Sequence, residues 1–251
     1  MFNIPQAARD WVRAAKPAVL RARVVARMIR HHPQLYFRYK KMGTHTGEHR
    51  LKDEAAFLSI HSRLVESGEG ISGLRERYNL WMLARGAERL SGDLAEVGVY
   101  RGGSAMLLAE AKGTSRLHLF DTFEGMPQTD SVHDGRFSAG MFSDTGLEAV
   151  RARLAPWSKV DFHPGFFPDS AKDIDPTLQF KLTNIDVDIR SSTLACLAYF
   201  YPRTVRGGFL VIHDYNDCGV PGAKAAVDEF MRDKPEIVLQ LWDTQALIVK
   251  A

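Results

Sequence analysis

The chain has 251 residues, of which 45% are hydrophobic and 25% charged, and its formal net charge is +3. It is long and apolar enough to bury one full core, and the lack of repeats or biased tracts excludes solenoids, fibres and disordered chains. Two cysteines, Cys196 and Cys218, exclude a disulfide framework or a cysteine zinc cluster; no apolar run reaches a membrane span of roughly 18 residues, and arginines interrupt the amino terminus where a signal peptide would be apolar, so a cytoplasmic location is expected.

The charge is divided unevenly along the chain. Residues 1–52 carry 12 Lys and Arg against Asp10 and Glu48, a balance of +10 that leaves −7 on residues 53–251. This predicts a basic helical arm, 1–52, ahead of one catalytic-sized domain, 53–251. In the arm, Leu20, Val24, Val25, Met28 and Ile29 recur at helical spacing while Arg21, Arg23, Arg27 and Arg30 take other faces. The first reading is docking on the acidic domain of its own or a neighbouring subunit, in a homo-oligomer. The second is peripheral contact with an anionic membrane or another polyanion. No base-reading module accompanies the charge, so nucleic acid is not an expected partner.

Helical periodicity follows at 53–66 and 72–90. In the second segment Leu74, Tyr78, Trp81, Met82 and Arg85 form a stripe read as core, with Ser72 the expected amino-terminal cap. From Asp93 strands and helices alternate. Strands are predicted at 94–99, 117–121, 159–163, 180–187, 208–213, 236–240 and 244–249, and helices at 104–112, 145–154, 191–201 and 222–233. Alternation predicts an α/β fold with a mostly parallel seven-stranded sheet. The last two strands, separated by little more than Trp242-Asp-Thr, should close it as an antiparallel hairpin.

Four features carry chemistry. Leu94 to Val99 followed by Gly102-Gly103-Ser104 reads as strand, tight turn and helix start, a junction where a nucleotide-like cofactor docks, and Glu96 is a carboxylate inside an apolar strand that needs a partner. Asp121 stands at the end of the next strand, where an acid accepts ribose hydroxyls. The spacing G-x-G-x-x-G is missing, which favours a single adenosine, as in S-adenosylmethionine, over a dinucleotide. Asp186, Asp188 and Asp214 lie at later strand ends and converge as oxygen ligands for a hard cation such as Mg²⁺, while His213 is a candidate base, a ligand for a softer ion, or a histidine bonded to backbone. Taken alone, Asp188 could simply cap the following helix. The loop 122–144 is long for an α/β connection and reads as a lid or as a disordered insertion.

Taken together, Ala95-Glu-Val-Gly-Val-Tyr-Arg-Gly-Gly-Ser, Phe120-Asp-Thr-Phe-Glu-Gly-Met-Pro, Gly165-Phe-Phe-Pro-Asp-Ser, Asp186-Val-Asp, Gly207-Gly-Phe-Leu-Val-Ile-His-Asp-Tyr and Pro221-Gly-Ala-Lys-Ala-Ala-Val-Asp-Glu-Phe resemble the macrocin O-methyltransferase family. The resemblance implies a Rossmann-like class I methyltransferase fold and transfer of a methyl group from S-adenosylmethionine, with Mg²⁺, to a hydroxyl of a sugar or other small natural product. It further implies that Glu96, Gly98, Tyr100, Gly102, Gly103 and Ser104 line the methionine end of the cofactor, that Asp121 holds its ribose, and that Asp186 is metal ligand and candidate base. Asp186 and Asp214 are the expected metal ligands, and Asp186 and His213 the expected catalytic residues. Two positions depart from the family pattern: Arg190 replaces a tyrosine, and His213-Asp214 replaces two adjacent aspartates. Two other classes stay open at this point. Asp186-Val-Asp188 also fits a metal-dependent glycosyltransferase, and the basic arm fits a non-catalytic membrane- or polyanion-binding protein on the same scaffold.

Overall fold

The computed structural model describes residues 54–68, 72–130, 133–217, 219 and 221–251. The chain divides into two units, Met1–Ala55 and Ala56–Ala251. The predicted basic arm, with its amphipathic helix, and Cys218 lie outside the described residues.

Two helices come first, α1 (Ala55–Ser67) and α2 (Leu74–Gly86). The expected core stripe of α2 is corrected here: Leu74 and Met82 are 39% and 44% exposed, and the buried face is Glu76, Arg77, Leu80, Trp81 and Ala84. Charged residues can line a buried face when they are paired. Arg77 reaches His61 Nδ1 at 3.1 Å, and Glu76 Oε2 accepts from Gly73 N at 2.8 Å. Gly73 and not Ser72 is the amino-terminal cap; glycine has no side chain to accept from the helix, so only the reverse bond of a capping box, from the cap amide to the third helical residue, is made.

The rest is an alternating α/β layer structure. Its strands are β1 (Asp93–Val97), β2 (Leu117–Asp121), β3 (Val160–Pro164), β4 (Phe180–Ile185), β5 (Thr204–Ile212), β6 (Val238–Gln240) and β7 (Ala246–Val249). Between them lie α3 (Gly103–Ala111), α4 (Leu147–Leu154), α5 (Arg190–Phe200) and α6 (Pro221–Phe230). The sheet order is β3-β2-β1-β4-β5-β7-β6. β1 to β5 pair in parallel and β7 runs antiparallel to both β5 and β6, so the expected terminal hairpin is present. β4 is buried along its whole length and β1 along all but its first residue. That burial suits central strands of a covered parallel sheet, and it takes in the polar Glu96, Lys181, Thr183 and Asn184 along with the apolar residues between them. Phe120, Phe167, Phe180 and Phe200 knit sheet to helix, with ring centroids 5.0 to 5.9 Å apart. This is the class I methyltransferase fold.

Two strands end two residues earlier than the predicted 94–99 and 180–187, and both endings shape the site. β1 stops at Val97, where Gly98 turns with φ +87°, and β4 stops at Ile185, which frees Asp186 to Asp188 from the strand. Strand order reverses between β1 and β4, and in open α/β sheets such a switch point opens a crevice at the carboxyl ends.

Candidate active site

A cavity of about 290 Å³ occupies that crevice. Its walls come from the chain just beyond five strands: Gly98, Tyr100, Gly103 and Ser104 after β1, Asp121 and Thr122 at β2, Phe166 after β3, Asp186 and Asp188 after β4, and His213 and Asp214 after β5. Glu96 and Gly102 are not among the lining residues. Gly102 instead caps α3 with φ +82°, and Glu96 is fully buried behind the wall. Asn184 Nδ2 donates to Glu96 Oε1 at 2.8 Å. Burial lifts the Glu96 carboxyl to about 8, against the opposing pull of Ser104 and Asn184, so it is protonated at neutral pH.

The glycine turn is held by its neighbours. A Cβ on Gly98 would stand 1.8 Å from Asp186 O, so only glycine lets the two loops meet here. Asp121 Oδ2 accepts from Val99 N at 2.6 Å and Tyr100 N at 2.8 Å, and its Oδ1 accepts from Phe123 N at 2.7 Å. Thr122 Oγ1 also stands 3.4 Å from Oδ1, but its one hydroxyl proton has a nearer acceptor in Gly125 O at 2.7 Å, so of the about four acceptor sites of a carboxylate one stays open for a ligand hydroxyl.

The chain beyond β4 and β5 forms a charged cluster in the cavity lining. His213 Nδ1 stands 3.3 Å from Asp186 Oδ1 and 3.2 Å from Asp214 Oδ2, while Nε2 stands 3.5 Å from Glu76 Oε1. These are ion-pair distances without hydrogen-bond geometry, and both ring nitrogens are buried with no hydrogen-bond partner. Asp188 and Asp214 adopt left-handed backbone, φ 61° and 59°, as does Tyr100 at 49°. Left-handed conformations of non-glycine residues cluster at functional sites because the surrounding fold must enforce them. Burial raises the Asp186 carboxyl to about 6, only partly offset by His213. Burial and the neighbouring Asp186 push Asp188 well above the usual range. Burial works against a charge on His213, but Asp186, Asp214 and Glu76 outweigh it and hold the imidazole well above its ordinary value. Against burial, His213, Thr244 and Gly73 hold Glu76 at about 2.

The donor set fits a divalent cation. Asp186, His213 and Asp214 each present one ligand atom, all within 4.8 Å of one another, and neither His213 nitrogen makes a hydrogen bond to the described residues. Glu76 was not legible as part of this centre, and its only signal in the sequence is an acid in the first turn of a helix, where it accepts from the cap amide of Gly73. Asp188 does not cap α5. Asp134, 1% exposed, takes that place by accepting from Arg190 N at 2.9 Å. The Arg190 side chain pairs with Glu229 on α6.

Asp134 belongs to the loop 122–144, whose described residues are folded. Met126 N donates to Met141 O at 2.7 Å, and Met126, Phe137 and Ile189 form a small apolar cluster. The loop is tied to the cavity rim by Tyr100 Oη to Asp144 at 2.7 Å and by Arg136 to Asp217 at 3.0 Å.

With this geometry in view, comparison with known proteins is specific. The macrocin-O-methyltransferase (TylF) family profile matches residues 81–244. Mycinamicin III 3''-O-methyltransferase of Micromonospora griseorubida is 30% identical over 209 residues, covering 72% of this chain and 78% of that one. The 8-demethyl-8-(2,3-dimethoxy-alpha-L-rhamnosyl)-tetracenomycin-C 4'-O-methyltransferase of Streptomyces olivaceus is 34% identical over 144 residues, and the match spans 51% of this chain and only 55% of that relative. The structure of the O-methyltransferase NovP superposes with a TM-score of 0.61 at 23% identity, over 71% of this chain and 81% of its own, a likeness of fold.

Proposed function

The chain belongs to the macrocin O-methyltransferase family, and on that premise we propose that it transfers a methyl group from S-adenosylmethionine to a hydroxyl of a sugar or other hydroxylated natural product. The observation that carries this reading is one cavity lined by two chemically distinct groups, the glycine turn with Asp121 and the cluster of Asp186, His213 and Asp214. In this reading Gly98, Tyr100, Gly103 and Ser104 hold the methionine end of the donor, and Asp121 accepts from its ribose. Glu96, neutral and behind the wall, stiffens the turn from within.

Methyl transfer is an in-line displacement, and positioning is its chief requirement. The C–O bond forms as the C–S bond breaks, the sulfonium becomes a neutral thioether, and the hydroxyl proton must leave. Asp186, with a carboxyl near 6, is ionised at neutral pH and close in proton affinity to a working base. Without a cation beside it, His213 is held toward its protonated form by the surrounding carboxylates, and it ligates a metal or accepts a proton only once that proton has left. Asp186, His213 and Asp214 would hold a divalent cation, Mg²⁺ or another, whose chemistry is to stabilise negative charge on the acceptor oxygen.

The test is calorimetry with S-adenosylhomocysteine, followed by turnover on sugar acceptors with and without EDTA. Binding with activity lost in EDTA and restored by a divalent cation is expected, and undiminished activity in metal-stripped protein would remove the metal from the proposal. Neither the glycosyltransferase reading nor the non-catalytic one draws support from the family match. No helix among the described residues is long and apolar enough to cross a membrane.

A further inference from the structure

Glu76 stands outside everything the donor and acceptor chemistry requires, yet both of its carboxylate oxygens are engaged. Its carboxylate is 7% exposed on a helix whose flanking Leu74 and Met82 face solvent. Capping of α2 uses only Oε2, through Gly73 N. Oε1 is turned the other way, where Thr244 Oγ1 donates to it at 2.6 Å and Thr244 N at 3.3 Å, and it faces His213 Nε2 at 3.5 Å. The imidazole therefore lies between Glu76 on its Nε2 side and Asp186 with Asp214 on its Nδ1 side.

We infer that Glu76 is a positioning residue that keeps the proton of neutral His213 on Nε2, so that the Nδ1 lone pair joins Asp186 and Asp214 as the nitrogen ligand of a mixed oxygen and nitrogen cation site. This rests on the divalent-cation reading above. A carboxylate that fixes one ring N–H leaves the other nitrogen free to ligate, and such partners orient the ring and raise its basicity. A nitrogen in the donor set changes which ion is held. Mg²⁺ takes oxygen ligands and dehydrates reluctantly, whereas Mn²⁺, Co²⁺ and Zn²⁺ accept imidazole. The site consequently prefers a borderline ion to Mg²⁺.

The experiment uses the full chain, stripped of metal, with Co²⁺, Mn²⁺ and Mg²⁺ titrated separately and S-adenosylhomocysteine affinity measured on the same samples. Co²⁺ and Mn²⁺ should bind more tightly than Mg²⁺, and Co²⁺ should show a visible band characteristic of a nitrogen ligand. Glu76→Gln keeps the size and the cap but presents an amide to Nε2. It should weaken Co²⁺ about 10- to 100-fold and shift the band, with S-adenosylhomocysteine affinity unchanged. Thr244→Val removes a hydrogen bond to Glu76 without touching His213 and should leave both cobalt readouts near wild type. An unaltered band and affinity in Glu76→Gln, an equal loss in Thr244→Val, or tighter binding of Mg²⁺ than of Mn²⁺ would each overturn the inference. A wild-type measurement avoids dependence on any variant's folding: nitrogen NMR of isotope-labelled histidine in the Zn²⁺ form should find the His213 proton on Nε2, and a proton on Nδ1 would refute the assignment. Failure to bind S-adenosylhomocysteine would fall on the methyltransferase reading and leave these cation readouts to judge Glu76.

Discussion

Asp121 uses both of its oxygens on backbone amides of the turns around it, so its removal acts on the cofactor wall as well as on any ribose contact. Hydrogen bonds to a charged group contribute about 1.5 to 3 kcal/mol each, and about 1.4 kcal/mol is tenfold in affinity. Asp121→Ala should therefore weaken S-adenosylhomocysteine at least about tenfold in calorimetry while the far-ultraviolet spectrum of the sheet is kept; unchanged affinity would take Asp121 out of the site. Glu96 supplies a pH signature. Its carboxyl is raised to about 8, so between the ordinary carboxylate value and that point the folded protein holds a proton the unfolded chain has lost, and stability falls as pH rises through the window. Glu96→Gln cannot ionise. Its urea midpoint should change less than that of wild type between about pH 5 and about pH 8, and an identical pH profile would show that Glu96 does not carry the buried proton. The opposite sign belongs to His163, which burial and neighbouring His118 depress to about 4. There the unfolded chain binds the extra proton, so stability is lost as pH falls from the ordinary histidine value toward about 4, and His163→Phe should flatten that acid limb.

At the scale of elements, the loop 122–144 depends on one buried carboxylate. Asp134 accepts from Arg190 N at 2.9 Å and from Asp130 N at 2.6 Å, so a single side chain both caps α5 and ties the loop over the cavity. Loss of a cap costs about 0.5 to 2 kcal/mol. Asp134→Ala should lower stability by that order and speed proteolytic cleavage within 122–144, since the loop loses its anchor while the sheet does not; cleavage at the wild-type rate would show that the apolar cluster alone holds the loop. The same residue takes the place that the capping alternative for Asp188 would have filled. A cap supplied from more than fifty positions away has no local pattern, whereas an acidic residue two places before a helix does. Helix α2 teaches a related lesson, because its apolar stripe marked one face while paired Glu76 and Arg77 placed another against the interior.

At the scale of the whole molecule, the sheet order places the reversal between β1 and β4, and every residue of the cluster except Glu76 comes from chain at the carboxyl ends of the strands. The charge split of the sequence adds a prediction for residues 1–52, which carry +10 against −7 on the remainder. Their deletion should lower the melting temperature or change the oligomer mass if the arm docks on protein. If the arm serves a membrane, deletion should instead abolish binding to anionic vesicles at low salt, where surface charge is screened over more than about 10 Å. A truncation silent in all three measurements would dismiss both roles.

The sequence by itself determined the alternation of strands and helices and the terminal hairpin, and it singled out the glycine turn with Asp121 for the cofactor, Asp186 and Asp214 as candidate ligands and His213 as candidate base. Those are local patterns: apolar period, turn chemistry and acids at strand ends are legible from neighbouring residues alone. Only the tertiary structure decided that β1 and β4 end early, that Glu96 lies behind the cavity wall, that Asp134 caps α5, and that Glu76 faces His213. Each of these turns on a contact between segments distant in the chain, and the buried charges involved are tolerable only because those contacts pair them.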